Sequence, residues 1–246
     1  MALVRLDKYL ADLGLASRRE LKEMIRRGRV SVDGVTALRP EQKLDPAVNR
    51  VTLDGTALEA PRSHVLMMDK PAGVVTATED RQQKTVLDLL PDKWKGLDLF
   101  PVGRLDKDTT GLLLLTDDGD FAHRVISPKS AVEKRYYAEV EGEPDEQDAA
   151  AFAAGLTLRD GTRCLPAALE PLGQGRCIVR VTEGKYHQVK RMLASRGKPV
   201  KSLRRLSIGA LELDESLGPG GVRELSQEDL CSLLNQLSLD KSSKNH

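Results

Sequence analysis

Residues 103–116 read Gly103-Arg104-Leu105-Asp106-Lys107-Asp108-Thr109-Thr110-Gly111-Leu112-Leu113-Leu114-Leu115-Thr116, a dense polar loop fastened to four consecutive leucines. A leucine run with neither helical nor alternating period, too short to span a membrane, fits a strand buried on both faces. Side chains mounted on the end of such a strand are held more firmly than those of a free loop, which suits catalysis. Two carboxylates and two cations sit in this loop between glycines. The plain alternative is a charged turn whose Asp and Thr side chains bond their own backbone.

The remaining sequence narrows the class. With 246 residues, 40% hydrophobic and 30% charged, the chain has the composition of an ordinary soluble globular protein. It is long enough for one large domain, or for a small domain joined to a medium one. No uncharged apolar stretch of about 18 residues occurs, and Met1-Ala2-Leu3-Val4-Arg5 lacks the layout of a secretory signal. A cytoplasmic protein without a membrane partner is expected. Cys164, Cys177 and Cys231 are widely spaced and have no neighbouring ligand set, so neither disulfides nor a metal site are expected.

The net charge of +1 conceals an asymmetry. Residues 184–205 carry eight basic side chains (Lys185, Lys190, Arg191, Arg196, Lys198, Lys201, Arg204 and Arg205) and no acid. With those set aside, 30 of the 38 basic residues remain against all 37 acidic ones, a net of −7. A stripe of this kind reads as a polyanion footprint, above all for nucleic acid. A solvated helix face laced by salt bridges is the ordinary alternative, and the missing acids argue against it.

Along the chain, Leu6, Tyr9, Leu10 and Leu13 follow helical spacing up to Gly14. Ser17 and Glu20 form a capping-box signature ahead of Leu21, Met24 and Ile25. Val30 and Val32 alternate into Asp33-Gly34, a hairpin turn signal. Residues 1–60 therefore read as a small helix-helix-hairpin domain, with a break near Pro61-Arg62-Ser63. Residues 61–240 read as a second, α+β domain with a mixed, mainly antiparallel sheet, and 241–246 as a polar tail. Within the second domain a strand is expected over Val65–Met68, and another over Val74–Thr78 after the turn Lys70-Pro71-Ala72-Gly73. Alternation around Tyr136, Ala138 and Val140 places Tyr136 indoors and Tyr137 outdoors. Val189, Met192 and Leu193 form the stripe of a later helix flanked by Lys190.

Gly103 to Thr116, Lys134-Arg135-Tyr136, and Glu183-Gly184-Lys185-Tyr186-His187-Gln188-Val189-Lys190-Arg191-Met192 resemble three separated motifs of the pseudouridine synthases. Lys70-Pro71-Ala72-Gly73-Val74-Val75 resembles the first motif of the branch that acts on small-subunit (16S) ribosomal RNA, the RsuA branch, with the large-subunit enzymes close behind. Residues 1–60 resemble an S4 RNA-binding domain. The resemblance runs in order over almost the entire chain. It implies a pseudouridine synthase fold, action as a monomer on ribosomal RNA or a pre-ribosomal particle, and no cofactor, because converting uridine to pseudouridine is an isomerisation.

The resemblance also implies roles. Asp106 matches the nucleophile, which attacks either the sugar or the pyrimidine ring of an extruded nucleotide. Lys190 matches its basic partner and would keep it ionised in a desolvated pocket. Tyr136 matches the tyrosine that stacks on the uracil. Arg104 would hold the flipped conformation or contact a phosphate, Asp108 would orient the loop through Arg104 or the Thr109 backbone, and Leu206 or Ile208 would supply an apolar wall. RNA would be gripped by Arg5, Lys8, Arg18, Arg19, Lys22, Arg26 and Arg27 on the first domain, and by Lys185, Arg191, Arg204 and Arg205 on the second. With only 3% aromatic residues, a broad stacking platform is not expected. Two rivals remain open on the residues alone: a non-catalytic S4-type assembly factor, and a glycoside hydrolase using Asp106 and Asp108 as its carboxylate pair.

Overall fold

A computed structural model describes residues 3–46, 48–58 and 63–233. The expected tail at 241–246 and residues Pro61 and Arg62 of the expected break lie outside the described residues. By internal contacts the chain divides into two compact units, Met1–Arg62 and Ser63–His246.

The first unit contains β1 (Val4–Arg5), α1 (Leu6–Asp12), α2 (Arg18–Arg26), β2 (Val30–Val32), β3 (Val35–Thr36), β4 (Lys43–Leu44), β5 (Val51–Leu53) and β6 (Thr56–Leu58). The capping box forms: Ser17 Oγ accepts from the Glu20 amide and the Glu20 carboxylate accepts from the Ser17 amide. Leu21 and Ile25 then fall on the buried side with Leu6, Leu10 and Val30. Asp33 and Gly34 both have positive φ, 52° and 82°, the twist a two-residue hairpin loop requires. The helix-helix-hairpin expectation falls short here, because the hairpin is half of a four-stranded sheet ordered β3-β2-β5-β6, beside a separate β1-β4 pair. Strands of two or three residues are too short to leave a period in the sequence.

The second unit contains β7 (Val65–Lys70), β8 (Phe100–Pro101), β9 (Thr110–Thr116), α3 (Gly119–Ile126), β10 (Lys134–Val140), α4 (Glu146–Ala154), β11 (Ala168–Gly173), β12 (Arg176–Val181), α5 (Gln188–Ser195), β13 (Val200–Ile208), β14 (Leu211–Glu212) and β15 (Val222–Glu224). Its sheet runs β11-β12-β10-β13-β9-β7-β15, with β8 on β9 and β14 on β13. The β9-β13 pairing is parallel and the other pairings are antiparallel, so the sheet is mixed and mainly antiparallel.

The leucine run explains the centre. Leu112 and Leu114 pack with Phe121, Val125 and Ile208, while Leu113 and Leu115 pack with Val74, Val86, Leu90 and Trp94. All four leucines are fully buried, each contributing about 2 kcal/mol of transfer free energy. Such anchorage fixes the strand that carries the polar loop. Val74–Thr78 is not a strand: Val75 makes only an isolated bridge to Thr85, and Thr76 spends its side chain on the polar loop instead. Tyr137 is half-buried rather than outdoors, with its hydroxyl near Glu139.

Gly111 is where β9 begins. It stands beside Lys70 of β7 on one side and Arg205 of β13 on the other, and Arg205 in turn faces Tyr136 of β10. Its φ is +98°, and a Cβ there would lie 2.2 Å from the Arg205 carbonyl oxygen. Both the conformation and the close approach require glycine. Gly111→Ala is expected to lower the unfolding free energy by about 3 kcal/mol or more, whereas Gly119→Ala, at an open helix start, should change it by under about 1 kcal/mol. Denaturant unfolding followed by circular dichroism checks both.

Candidate active site

The loop carrying Asp106 is clamped from below. Lys70 closes β7, is 0% exposed, and aims its ammonium at four carbonyl oxygens: Pro71 at 3.0 Å, Asp106 at 3.1 Å, Lys107 at 3.3 Å and Thr109 at 3.0 Å. A buried cation is costly unless its donors are satisfied, and here loop carbonyl dipoles satisfy them. Thr76 adds a reciprocal pair, its hydroxyl donating to the Leu105 carbonyl at 2.8 Å and accepting from the Leu105 amide at 3.2 Å. The Gly73 amide donates to Lys107, and the Thr109 amide to Asp106 across the turn. Leu105 is itself packed in the core beside Leu113. The backbone on either side of Asp106 is therefore fixed, and its side chain alone is left to face the cavity.

That carboxylate has a cation or potential cation at each oxygen. His187 Nε2 lies 3.3 Å from Oδ1 and Lys190 Nζ lies 3.3 Å from Oδ2. Both partners come from the start of α5. His187 caps it in the left-handed conformation, φ 48° and ψ 35°, a geometry that costs a non-glycine residue about 1–3 kcal/mol and recurs at functional sites. Its ring is stacked on Tyr186, with centroids 3.9 Å apart. Lys190 also meets Asp108 at 2.5 Å, and this hydrogen bond holds the Asp108 carboxyl below its ordinary range. Asp108 thus engages Lys190 rather than Arg104 or the Thr109 backbone, and Lys190 is shared between two carboxylates.

Asp106, Arg104, Tyr136, Lys185 and His187 line a cavity of about 830 Å³. This is within the size range of small-molecule sites and large enough for a nucleotide. Lys190 borders an adjoining recess of about 80 Å³ that shares Asp106 and Tyr136. Tyr136 sits on β10 packed against two core clusters, but it is half-buried rather than fully indoors. Ile208 lines the cavity and is 2% exposed, while Leu206 is not among its lining residues. The bulge between Tyr136 and Arg135 in the β10-β13 register skips Leu206, which turns it off this face.

The basic residues divide. Lys185 is paired with Glu183, Arg191 with Asp160, Arg196 and Lys198 with Asp148, and Arg204 with Asp69. The segment has no acids of its own, yet the fold brings acids to it from elsewhere. On the first unit, Arg5 is paired with Asp7 and Arg27 with Glu23. Lys8, Arg18, Arg19, Lys22 and Arg26 form no ion pair among the described residues, and all but the half-buried Lys22 are exposed. Lys70, Thr76, His187 and Lys134, which also lines the cavity, had no role from the sequence. Lys70 left one signal, a charged pair, Asp69-Lys70, closing a strand of otherwise core-like residues.

Known proteins resemble this chain over nearly its whole length. The family model described as RNA pseudouridylate synthase matches residues 64–195, and the S4 domain model matches 4–48. The chain is 42% identical over 237 residues to the uncharacterized RNA pseudouridine synthase YtzG of Bacillus subtilis, covering 95% of this chain and 99% of that protein. It is 42% identical over 232 residues to ribosomal small subunit pseudouridine synthase A of Pseudomonas aeruginosa, covering 94% and 100%. A solved structure titled as a crystal structure of pseudouridylate synthase superposes with a TM-score of 0.66 at 35% identity, covering 94% of this chain and 99% of that one. The chain belongs to the RNA pseudouridylate synthase family and carries an S4 domain at its N-terminus.

Burial pulls the Lys70 pKa down to about 8, with Asp108 and Asp106 pulling it back up and Lys190 acting in the same direction as burial. As pH rises through about 8 the ammonium becomes an amine, three donors become two, and four carbonyls compete for them. Hydrogen-exchange protection of residues 105–109, corrected for intrinsic rates, is expected to fall across that interval while β9 stays protected. Unchanged loop protection up to pH 10 would contradict the clamp.

Proposed function

We propose that this protein isomerises a uridine of small-subunit (16S) ribosomal RNA, free or within a pre-ribosomal particle, to pseudouridine, with Asp106 as the nucleophile. The observation that carries this reading is one carboxylate, immobilised by its backbone and met by His187 and Lys190, on the wall of a nucleotide-sized cavity beside Tyr136. The 16S assignment rests on relatives named as small-subunit enzymes that match over nearly their full length.

The reaction breaks the bond between uracil N1 and the sugar C1′, turns the uracil, forms a bond from C1′ to C5, and removes the C5 proton while N1 gains one. It is balanced without redox or group transfer. The target must first leave its helix, at a cost of a few kcal/mol, and Arg104, exposed at the cavity rim, is placed to occupy the gap or hold the adjacent phosphate. Lys190 and His187 offset the cost of an anion in a closed site, and Lys190 remains bound to Asp108 when Asp106 is consumed. Tyr136 presents its ring to the uracil, and Ile208 supplies the apolar wall. Arg19, Lys22 and Arg26 of the first unit, without an ion pair among the described residues, grip phosphates.

Asp106→Asn is expected to reduce pseudouridine in 16S transcripts below about one thousandth of wild type with RNA affinity kept. Lys190→Met should cost turnover about a hundredfold or more with little change in affinity. Arg19→Ala and Lys22→Ala should do the reverse, each lowering the salt dependence of binding by about one ion. Pseudouridine mapping combined with filter binding checks all three. Wild-type yield from Asp106→Asn removes Asp106 as the nucleophile, absence of product from wild type removes the enzymatic reading, and equal loss of turnover and affinity in every variant removes the division of labour.

A further inference from the structure

Lys134 and Arg205 are two of the cations on the cavity wall that the chemistry above does not use. Lys134 opens β10 two residues before Tyr136, so strand alternation puts both on one face. Arg205 stands in register with Tyr136, and Ile208 with Lys134. All four line the 830 Å³ cavity. Arg205 is 4% exposed; its Nε donates to the Leu112 carbonyl at 2.7 Å, while Nη2 is buried with no hydrogen-bond partner among the described residues. The half-buried Lys134 ammonium likewise forms no ion pair or side-chain hydrogen bond with any described residue. Their strand neighbours differ, since Arg135 is paired with Glu212 and Arg204 with Asp69. Burial lowers the Lys134 pKa to about 8, and the charge of Arg205 pushes in the same direction.

Unpaired buried donors and two like charges on one wall destabilise the free protein. The cost is recovered if an anion enters. We propose that Lys134 and Arg205 form a phosphate subsite, gripping a phosphodiester of the RNA strand next to the nucleotide held against Asp106. A uracil carbonyl would accept a hydrogen bond and leave both charges uncompensated. A phosphodiester brings a full negative charge and two free oxygens, one for each cation. The subsite rests on reading the cavity as a nucleotide site, and it locks the extruded nucleotide by its backbone rather than by its base.

Uridine and uridine 3′,5′-bisphosphate are suitable probes, titrated calorimetrically at pH 8 into the full chain as wild type, Lys134→Met and Lys134→Arg. Wild type is expected to bind the bisphosphate at least about tenfold more tightly than uridine. That gap should shrink below about threefold in Lys134→Met and return in Lys134→Arg. An anion raises a neighbouring lysine's pKa, so bisphosphate binding to wild type should take up protons, seen as a buffer-dependent heat that Lys134→Met lacks. Thermal melting of Lys134→Met at or above wild type shows that the fold survives loss of an unpaired charge. Equal affinities in wild type, a gap that persists in Lys134→Met, or no bisphosphate binding overturns the subsite. Pseudouridine formation on 16S transcripts, measured on the same wild-type sample, reads the function separately: product without the gap removes the subsite alone, and the gap without product removes the activity alone.

Discussion

One buried ammonium organises the active end of this molecule. Lys70 is the last residue of a core strand, and its donors are satisfied by carbonyls of the loop that carries Asp106. Neither partner is tolerable without the other: the lysine would be an unsolvated charge, and the loop would have inward-facing carbonyls without donors. The fold thereby converts a desolvation penalty into a geometric constraint. Thr76, Gly73 and Leu105 extend the same constraint along the loop, and Gly111 lets β9 approach β13 closely enough to bring Arg205 and Tyr136 into the same cross-strand row.

Charge is then distributed by function. Cations held against acids, such as Arg204 with Asp69 and Arg196 with Asp148, tie elements of the sheet domain together. Lys190 stands between two carboxylates, and Asp108 holds it in place at the edge of the site. Lys134 and Arg205 line the cavity and form no ion pair among the described residues. On the first unit Lys8, Arg18, Arg19 and Arg26, without an ion pair among the described residues, are exposed, and Lys22 is half-buried.

Much of this was legible in the sequence where local pattern and local structure coincide. The Ser17–Glu20 capping box, the Asp33-Gly34 turn and the leucine run of β9 each follow from chemistry confined to a few neighbouring residues. The site motifs were legible as a set because Asp106, Tyr136 and Lys190 sit in separate, recognisable stretches that the fold unites. What escaped was long-range. The nine-residue strand β13 went unnoticed because its inward positions include Arg205 and Ser207, and its bulge at Leu206 breaks the alternation that marks a strand. The acid-free segment at 184–205 is neutralised largely by Asp69, Asp148 and Asp160, which no local count of charge could reveal. Lys70 read as part of a turn, since nothing in Lys70-Pro71-Ala72-Gly73 announces carbonyls some forty residues further on. His187 lay inside a recognised motif, but its contact with Asp106 depends on a left-handed backbone that sequence does not display.

The account comes to rest on the carboxylate at position 106 bonding to an extruded nucleotide. Mass spectrometry of proteolytic fragments after reaction with 5-fluorouridine-substituted 16S transcripts measures this most directly, because fluorine at C5 blocks the final proton loss. The account predicts a nucleotide adduct on the fragment containing Asp106, absent from Asp106→Asn. An adduct carried by another side chain, or none at Asp106 while isomerised product still accumulates, would contradict it.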